Sequence, residues 1–205
     1  AYVLPLHFNM FPESVRAQAA QNLAALIKKN DYCIGTGFPG TPYILFALAD
    51  NGHADTAFKM LTNTKCPSWL YEVKVGATTI WERWDALDEQ GRCTIGEDGT
   101  GGMISFNHYA FGAVGDFLYR RVAGIEPLEG GYKRFAVKPL VGGGITSAKA
   151  ALVSPYGKIE SSWQAEGGKF TLHAKVPMGT VCELTLPNGE TKSLVSGSYR
   201  FTCAL

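Results

Sequence analysis

The sequence predicts a multidomain chain whose first part is helical and whose last part is a small β domain. Apolar or small side chains over residues 15–27 recur at the 3.6-residue period of a helix. Residues 169–176 instead alternate strictly between polar and apolar side chains, which is typical of a half-buried strand. Because the period changes at Gly124, we predict a mainly helical region over 1–124 and an antiparallel β-sandwich over 125–205.

The first predicted helices are delimited by their terminal residues. The apolar run 1–6 has no capping residue before it, which indicates the interior of an element and a chain that is the C-terminal part of something longer. Pro12 and Glu13 suit the first turn of a helix, and Lys28 and Lys29 suit its last turn, where cations are favoured.

Two further helices are expected before a long irregular stretch. Thr41 is predicted to cap a helix that ends at Asn51-Gly52, and residues 53–61 form the next helix. The short join predicts an antiparallel hairpin of these two helices. Residues 66–104 are expected to be irregular and to end in a glycine-rich loop over 91–102.

The last predicted helix runs from about 107 to 122 with Ser105 as its cap. Gly112 and Gly115 lie inside it and are expected to permit close packing of helices. Beyond residue 124, strands are predicted over 137–140, 148–153, 159–163 and 169–176. Cys182, Leu184 and Leu186 share the inner face of the next strand, which ends at an Asn188-Gly189 turn with positive φ angles.

The composition excludes several classes of function. The net charge is +1, from 19 Lys and Arg against 18 Asp and Glu, so nothing indicates a nucleic-acid partner. The apolar runs fall well short of the roughly 20 residues that a membrane span needs, so no membrane partner is expected. The five cysteines lack CxxC spacing and no two histidines stand at metal-ligand spacing. We therefore favour free thiols, with at most two disulfides as the alternative, and predict no cofactor. The compartment stays unassigned.

Residues 67–85 combine aromatic, acidic and basic side chains. They hold three of the four tryptophans and five polar or charged neighbours, namely Trp69, Trp81, Trp84, Tyr71, Glu72, Glu82, Arg83 and Asp85. Flat rings contact the apolar faces of sugars, and carboxylates or guanidinium groups hold the hydroxyls. Glycoside cleavage requires two carboxyl groups, one of which is an acid and the other a base or nucleophile.

The backbone conformation of residues 80–86 stays open at this stage. In a helix, Glu82 and Asp85 would share a face about 5–6 Å apart, which is close to the spacing of a retaining glycosidase. In an extended segment, Glu82 and Trp84 would share a face and Arg83 would turn away. A salt bridge from Glu82 to Arg83 or to a neighbouring helix is the structural alternative to a catalytic role.

His108 is the histidine that the sequence singles out. It lies in the first turn of a predicted helix, where the helix dipole disfavours its charged form. A neutral imidazole can hydrogen-bond a sugar hydroxyl, and the alternative is a packed or solvated terminal histidine. The other histidines, His7, His53 and His173, are expected to be structural or exposed.

Four ordered blocks of the sequence resemble the C-terminal part of bacterial α-L-rhamnosidases of glycoside hydrolase family 78. The blocks are residues 36–43, 67–71, 77–85 and 105–115. The later segments Ala123-Gly124-Ile125 and Pro155-Tyr156-Gly157 resemble the family too. The resemblance implies the C-terminal part of an (α/α)6 toroid followed by a β-sandwich.

The resemblance also implies an inverting hydrolase that releases terminal α-L-rhamnose from a rhamnose-containing glycoside or oligosaccharide. It makes Glu82 the general base and His108 a sugar contact. Trp81 and Trp84 are expected to wall the sugar site, with Arg83 and Asp85 in the substrate-binding set.

The family's general acid lies in an earlier acidic block that nothing in residues 1–60 resembles. We therefore expect the chain to be inactive alone and to need the upstream part of the same enzyme. Two alternatives remain: a non-catalytic carbohydrate-binding or structural module using Trp163 and Tyr156, and a toroid glycosidase of other sugar specificity.

Overall fold

A computed structural model describes residues 1–94 and 105–205, which form the two compact units Ala1–Val114 and Gly115–Leu205. The helices, in chain order, are α1 Val3–His7, α2 Glu13–Lys29, α3 Thr41–Ala49, α4 Ala54–Leu61, α5 Trp69–Lys74, α6 Tyr109–Gly112 and α7 Val114–Phe117, followed by the π-helical turn Leu118–Val122. The strands are β1 Ile125–Pro127, β2 Arg134–Val137, β3 Ser147–Ser154, β4 Gly157–Glu166, β5 Lys169–Val176, β6 Val181–Thr185, β7 Thr191–Leu194 and β8 Gly197–Ala204.

The predicted ends of α2 are confirmed. The helix begins directly after Pro12 and ends on Lys28 and Lys29. Asn30 caps it, and its backbone N–H donates to the carbonyls of Leu26 and Ile27, both at 3.1 Å. These terminal residues act locally, so the sequence alone suffices to place the helix.

The role predicted for Thr41 is wrong by one position. Gly40 is the N-cap of α3, and Thr41 is its first helical residue. The buried Thr41 hydroxyl lies 3.0 Å from the carbonyl oxygens of both Thr36 and Gly37, so it fastens the preceding loop to the helix. Helices α3 and α4 pack against each other across a turn in which Gly52 has a φ of 86°.

Residues 66–104 are not irregular throughout, because α5 lies within them. Ser68 caps this helix, and its hydroxyl accepts the N–H of Tyr71 at 3.1 Å. Trp69 and Tyr71 are buried, so the aromatic side chains that obscured a helical period form the packed face of a six-residue helix. Of the glycine-rich loop predicted over 91–102, residues 95–102 lie outside the described part of the chain.

The helix predicted over 107–122 is divided into α6, α7 and the π-helical turn, and Ser105 does not cap it. His108 is the N-cap, and its Nδ1 accepts the N–H of Ala110 at 3.3 Å. The packing role predicted for Gly112 and Gly115 is also wrong. An added Cβ at either glycine would meet no atom within 4 Å among the described residues.

The second unit contains two four-stranded sheets, with strand orders β1-β2-β6-β7 and β3-β4-β5-β8. Strand β5 has the bounds that its alternation predicted. The strand predicted at 137–140 instead covers Arg134–Val137, and it pairs in parallel with β6, whereas every other strand pair in the described sheets is antiparallel.

The predicted inner face of β6 is confirmed, since Cys182, Leu184 and Leu186 are at most 2% exposed. The turn between β6 and β7 is also where the sequence places it. Only Gly189 has a positive φ there, at 89°, so the expectation of a positive φ at Asn188 is wrong.

The five cysteines are free thiols, as predicted. Cys33, Cys182 and Cys203 are buried, whereas Cys66 and Cys93 reach the surface. Among the helices of the described residues, none combines the length and apolarity needed to cross a bilayer.

Candidate active site

Two distant segments of the chain lie side by side and carry the predicted site residues. The N–H of Glu82 donates to the carbonyl of Ser105 at 2.9 Å, and the N–H of His108 donates to the carbonyl of Ile80 at 2.8 Å. The Thr79 hydroxyl donates to the carbonyl of Phe106. These bonds join residues 79–82 to 105–108 and so bring the regions of Glu82 and His108 together.

Glu82 is half-buried, and among residues 1–94 and 105–205 its carboxylate has one hydrogen-bond donor. Its Oε2 accepts the N–H of Ser105 at 2.8 Å. The salt bridge between Glu82 and Arg83 that the sequence allowed is not formed, because the guanidinium of Arg83 pairs with Asp85 through two bonds of 3.2 and 3.1 Å. Residues 80–86 form bends and turns, so neither regular conformation considered for them is adopted.

A hollow of about 290 Å³ adjoins Glu82 in the first unit. Its lining includes Thr36, Gly37, Phe38, Glu82, Arg83, Trp84, Asp85 and Phe111. The ring of Trp84 stacks on Phe111 with centroids 4.0 Å apart and planes 15° apart. Phe38 lies 5.1 Å from Phe111 and is 43% exposed. The hollow therefore combines flat apolar rings with carboxylates and a guanidinium group.

His108 adjoins this hollow through Phe38 rather than lining it. The two rings stack at 4.8 Å with planes 25° apart. Because Nδ1 accepts the Ala110 N–H, Nε2 is the ring nitrogen that can donate to a ligand in this arrangement. The helix that His108 caps has only four residues, so the hydrogen bond, more than a long helix dipole, sets the state of the ring.

The three tryptophans of residues 67–85 have different surroundings. Trp84 is half-buried and lines the hollow, whereas Trp81 is 3% exposed, is absent from the lining and packs edge-to-face on Phe106 at 5.4 Å. Trp69 is buried, and its indole N–H donates to the Phe111 carbonyl at 3.0 Å. Trp69 thus packs behind the hollow, against Trp84 and Phe111, whereas Trp81 packs on a ring that is not part of the lining.

Glu72 is a buried carboxyl of the 67–85 stretch to which the sequence analysis gave no separate role. It is 1% exposed, and its Oε2 accepts the backbone N–H of Trp81 at 3.2 Å. Its Oε1 has no hydrogen-bond partner among the described residues. Burial raises the pKa of Glu72 to about 7, against the lowering effect of the Trp81 N–H. In the sequence, the sign of a buried Glu72 is its position in a helix capped by Ser68, next to the buried aromatic residue Tyr71.

Trp163 and Tyr156, which the sequence offered for glycan binding by the β domain, are not arranged as that alternative requires. Trp163 is 2% exposed, and its indole N–H donates to the carbonyl of Val122 at 2.7 Å. A ring that is buried and bonded in this way cannot stack on a sugar. Tyr156 is 40% exposed, but it does not share a hollow with Trp163 in the described lining residues.

Two family models match the chain. The bacterial alpha-L-rhamnosidase 6 hairpin glycosidase domain matches residues 1–122, and the bacterial alpha-L-rhamnosidase C-terminal domain matches residues 124–201. A curated alpha-L-rhamnosidase of Streptomyces avermitilis is 42% identical over 187 residues, which are 91% of this chain and 18% of that protein. One of Formosa agariphila is 37% identical over 202 residues, which are 98% of this chain and 21% of that protein.

Solved structures agree with these matches. The native alpha-L-rhamnosidase from Aspergillus terreus has a TM-score of 0.93 at 38% identity and covers 100% of this chain and 24% of its own. The Streptomyces avermitilis enzyme complexed with L-rhamnose has a TM-score of 0.91 at 38% identity, over 98% of this chain and 21% of its own. The chain spans about a fifth of the length of the curated relatives it matches.

The helices around an aromatic and acidic hollow, followed by a β-rich domain, define a region of a six-hairpin glycosidase. The resemblance found in the sequence is thereby confirmed. The chain belongs to the bacterial α-L-rhamnosidase family.

Proposed function

We propose that this chain is the C-terminal region of an inverting glycosidase that releases terminal α-L-rhamnose from rhamnosides. The observation that carries the proposal is the Glu82 carboxylate at an aromatic hollow that also contains Trp84 and Phe38. We assign residues 1–124 to the partial catalytic toroid and 125–205 to the C-terminal β-sandwich. The relatives named alpha-L-rhamnosidase support the choice of sugar.

Glu82 acts as the general base in this proposal. A carboxylate in a hollow can take a proton from a water molecule that attacks the anomeric carbon from the face opposite the leaving oxygen. Its Oε2 already accepts the Ser105 N–H, which fixes the side chain and leaves Oε1 for the water. Oε1 becomes protonated, while the leaving oxygen takes its proton from an acid that the upstream part of the enzyme supplies.

The remaining site residues hold the sugar. The ring of Trp84 offers an apolar face to the pyranose, and Nε2 of His108 donates to a hydroxyl. Arg83 and Asp85 form an exposed pair at the rim, where each retains hydrogen-bonding capacity for sugar hydroxyls. Trp81 directly precedes Glu82, is buried and packs on Phe106, so it helps to hold the segment that carries the base.

Replacing Glu82 tests the proposal. In the complete enzyme that carries this chain, Glu82→Gln should lower kcat on an aryl α-L-rhamnoside by about 10²–10⁴-fold, because the amide cannot accept the proton. The Gln side chain keeps an oxygen for the Ser105 N–H, so the fold should be retained. The measurement is release of the aryl alcohol, with the anomeric configuration of the first sugar product read by NMR.

Glu166→Gln is the matched control, because Glu166 is an exposed glutamate of β4 in the second unit. This variant should keep the kcat of the unmodified enzyme. Ordinary kcat in Glu82→Gln would end the assignment of the base. A product with retained configuration would end the inverting mechanism, and release of another sugar in preference to rhamnose would end the choice of substrate.

A further inference from the structure

The segment that carries Glu82 is held from two opposite sides. The carbonyl of Ile80 and the N–H of Glu82 bond to residues 105–108. The N–H of Trp81, the residue between them, bonds instead to the carboxyl of Glu72. Successive residues of this segment thus direct their backbone groups alternately to the 105–108 segment and to α5.

Helix α5 is a firm support for this second bond. Its first turn is capped by Ser68, and the Trp69 indole N–H is bonded to the Phe111 carbonyl at 3.0 Å. The Tyr71 hydroxyl donates to the carbonyl of Leu87 at 3.0 Å. The main chain of α5 is also bonded to the residues that follow it, since the Glu72 carbonyl accepts the N–H of Ala77 at 2.9 Å. A group on α5 therefore has a defined position relative to residues 77–87.

A glutamate at this place is not explained by packing alone. A buried carboxyl with one unbonded oxygen costs free energy that an apolar side chain of similar size avoids. What the carboxyl supplies is an acceptor for the Trp81 N–H, which would otherwise be buried with no partner.

We propose that Glu72 is a positioning residue for Glu82. Its carboxyl fixes the backbone at Trp81, and this holds the neighbouring Glu82 side chain against the N–H of Ser105 and towards the hollow. The inference rests on the proposed function, since it concerns the placement of the base. Glu72 touches no part of the hollow in the described structure, so it acts only through residues 81 and 82.

The protonation state of Glu72 affects this role. Burial raises its pKa to about 7, so the group is largely neutral in mildly acidic solution, and its carbonyl oxygen serves as the acceptor. The titratable group that responds to its charge is the Cys66 thiol, whose pKa is raised to about 11 by partial burial and then by Asp85, Cys33 and Glu72. Ionisation of Glu72 places a charge in this buried position, which costs free energy even though the Trp81 N–H favours the charged form.

Two substitutions of Glu72 in the complete enzyme distinguish a role in positioning Glu82 from a role in packing alone. Glu72→Gln keeps an acceptor and cannot ionise, so kcat at pH 6 should stay within about three-fold of the unmodified enzyme, and its decline above pH 7 should be weaker. Glu72→Met keeps the volume and removes the acceptor. Its kcat should fall by about 10–100-fold while KM changes less than about three-fold, because a small displacement of a reacting group lowers rate more than binding.

Glu89→Gln is the control, because Glu89 is an exposed glutamate whose contact with α5 is an ion pair to Lys74 at 3.0 Å. Its kcat and pH profile should be unchanged. Unmodified kcat in Glu72→Met, or a Glu72→Gln profile identical to that of the unmodified enzyme, would overturn the inference. If Glu72→Met does not fold, the Glu72→Gln profile decides. Loss of activity in Glu82→Gln alongside full activity in Glu72→Met would reject the positioning role and leave the proposed function in place.

Discussion

Two glutamates ten positions apart have different surroundings, and the surroundings separate their chemistry. Glu82 is half-buried, bonded to one N–H and adjacent to an open hollow. Glu72 is sealed from solvent, and only one of its oxygens is bonded among the described residues. Burial and hydrogen-bond partners thus fit the same side chain to the two different roles proposed here, an accessible base at Glu82 and a buried acceptor at Glu72.

The buried carboxyl makes stability depend on pH. Below about pH 4.5 Glu72 is protonated in both folded and unfolded chains, so its contribution is fully present. As the pH rises towards about 7 the unfolded chain loses this proton and the folded chain keeps it, so the free energy of unfolding falls. Above that pH both forms are ionised and the loss is complete, on the order of 3 kcal/mol.

The Glu72→Gln variant should lack the part of the pH dependence of the free energy of unfolding that comes from this carboxyl. The measurement is the free energy of unfolding by urea at pH 5 and at pH 8, in both proteins. The decrease from pH 5 to pH 8 should be smaller in the variant, whatever the substitution does to stability at either pH alone. Equal decreases in the two proteins would show that Glu72 does not titrate in this range.

At the scale of elements, the sequence was enough to predict those helices and strands whose bounds depend only on residues within the element. Helix α2 and strand β5 have the predicted bounds because end residues and side-chain alternation act within the element itself. Residues 80–86 were left open because the conformation at their start depends on bonds to 105–108, which no period reveals. The general base and the sugar contact could be proposed from their sequence blocks, whereas Glu72 could not, since its role depends on which backbone N–H its helix faces.

Gly124 is a position at which another stretch of backbone leaves no room for a side chain. It lies just before β1 with a φ of 86°, and a Cβ there would be 2.4 Å from the backbone nitrogen of Pro139. The chain after β2 is held at this point, because the N–H of Lys138 donates to the Gly124 carbonyl at 2.9 Å. Main-chain atoms cannot yield as a flexible side chain does, so a side chain is excluded at this position.

We expect Gly124→Ala to lower the free energy of unfolding by more than about 3 kcal/mol, from the strained φ together with the overlap. Gly189→Ala is the matched control, because Gly189 has a φ of 89° and an added Cβ would meet nothing within 4 Å among the described residues. It should cost only about 1–2 kcal/mol. Denaturant unfolding of the two variants side by side makes the comparison, and equal losses would show that the approach of Pro139 is unimportant.

At the scale of the whole molecule, the proposed function requires a second catalytic group beside Glu82. The chain carries Glu82 and spans about a fifth of the length of its curated relatives. Hydrolysis of a glycoside requires an acid and a base on opposite sides of the bond, and in an inverting enzyme they stand about 6.5–9.5 Å apart. The carboxylate nearest in sequence within the hollow is Asp85, and it is engaged by Arg83. In the proposed mechanism we therefore expect the acid to come from elsewhere in the enzyme.

The chain of residues 1–205 alone should consequently be inactive. Purified and mixed with an aryl α-L-rhamnoside, it should release no aryl alcohol above the uncatalysed rate, because a base without an acid leaves the departing oxygen unprotonated. Co-expression with the upstream region should restore turnover, and Glu82→Gln in this chain should abolish the restored activity. Turnover by the chain alone near that of the complete enzyme would mean that both catalytic groups lie within these residues. That outcome would also make Asp85 the first candidate for the acid, and Asp85→Asn would then be expected to remove the activity.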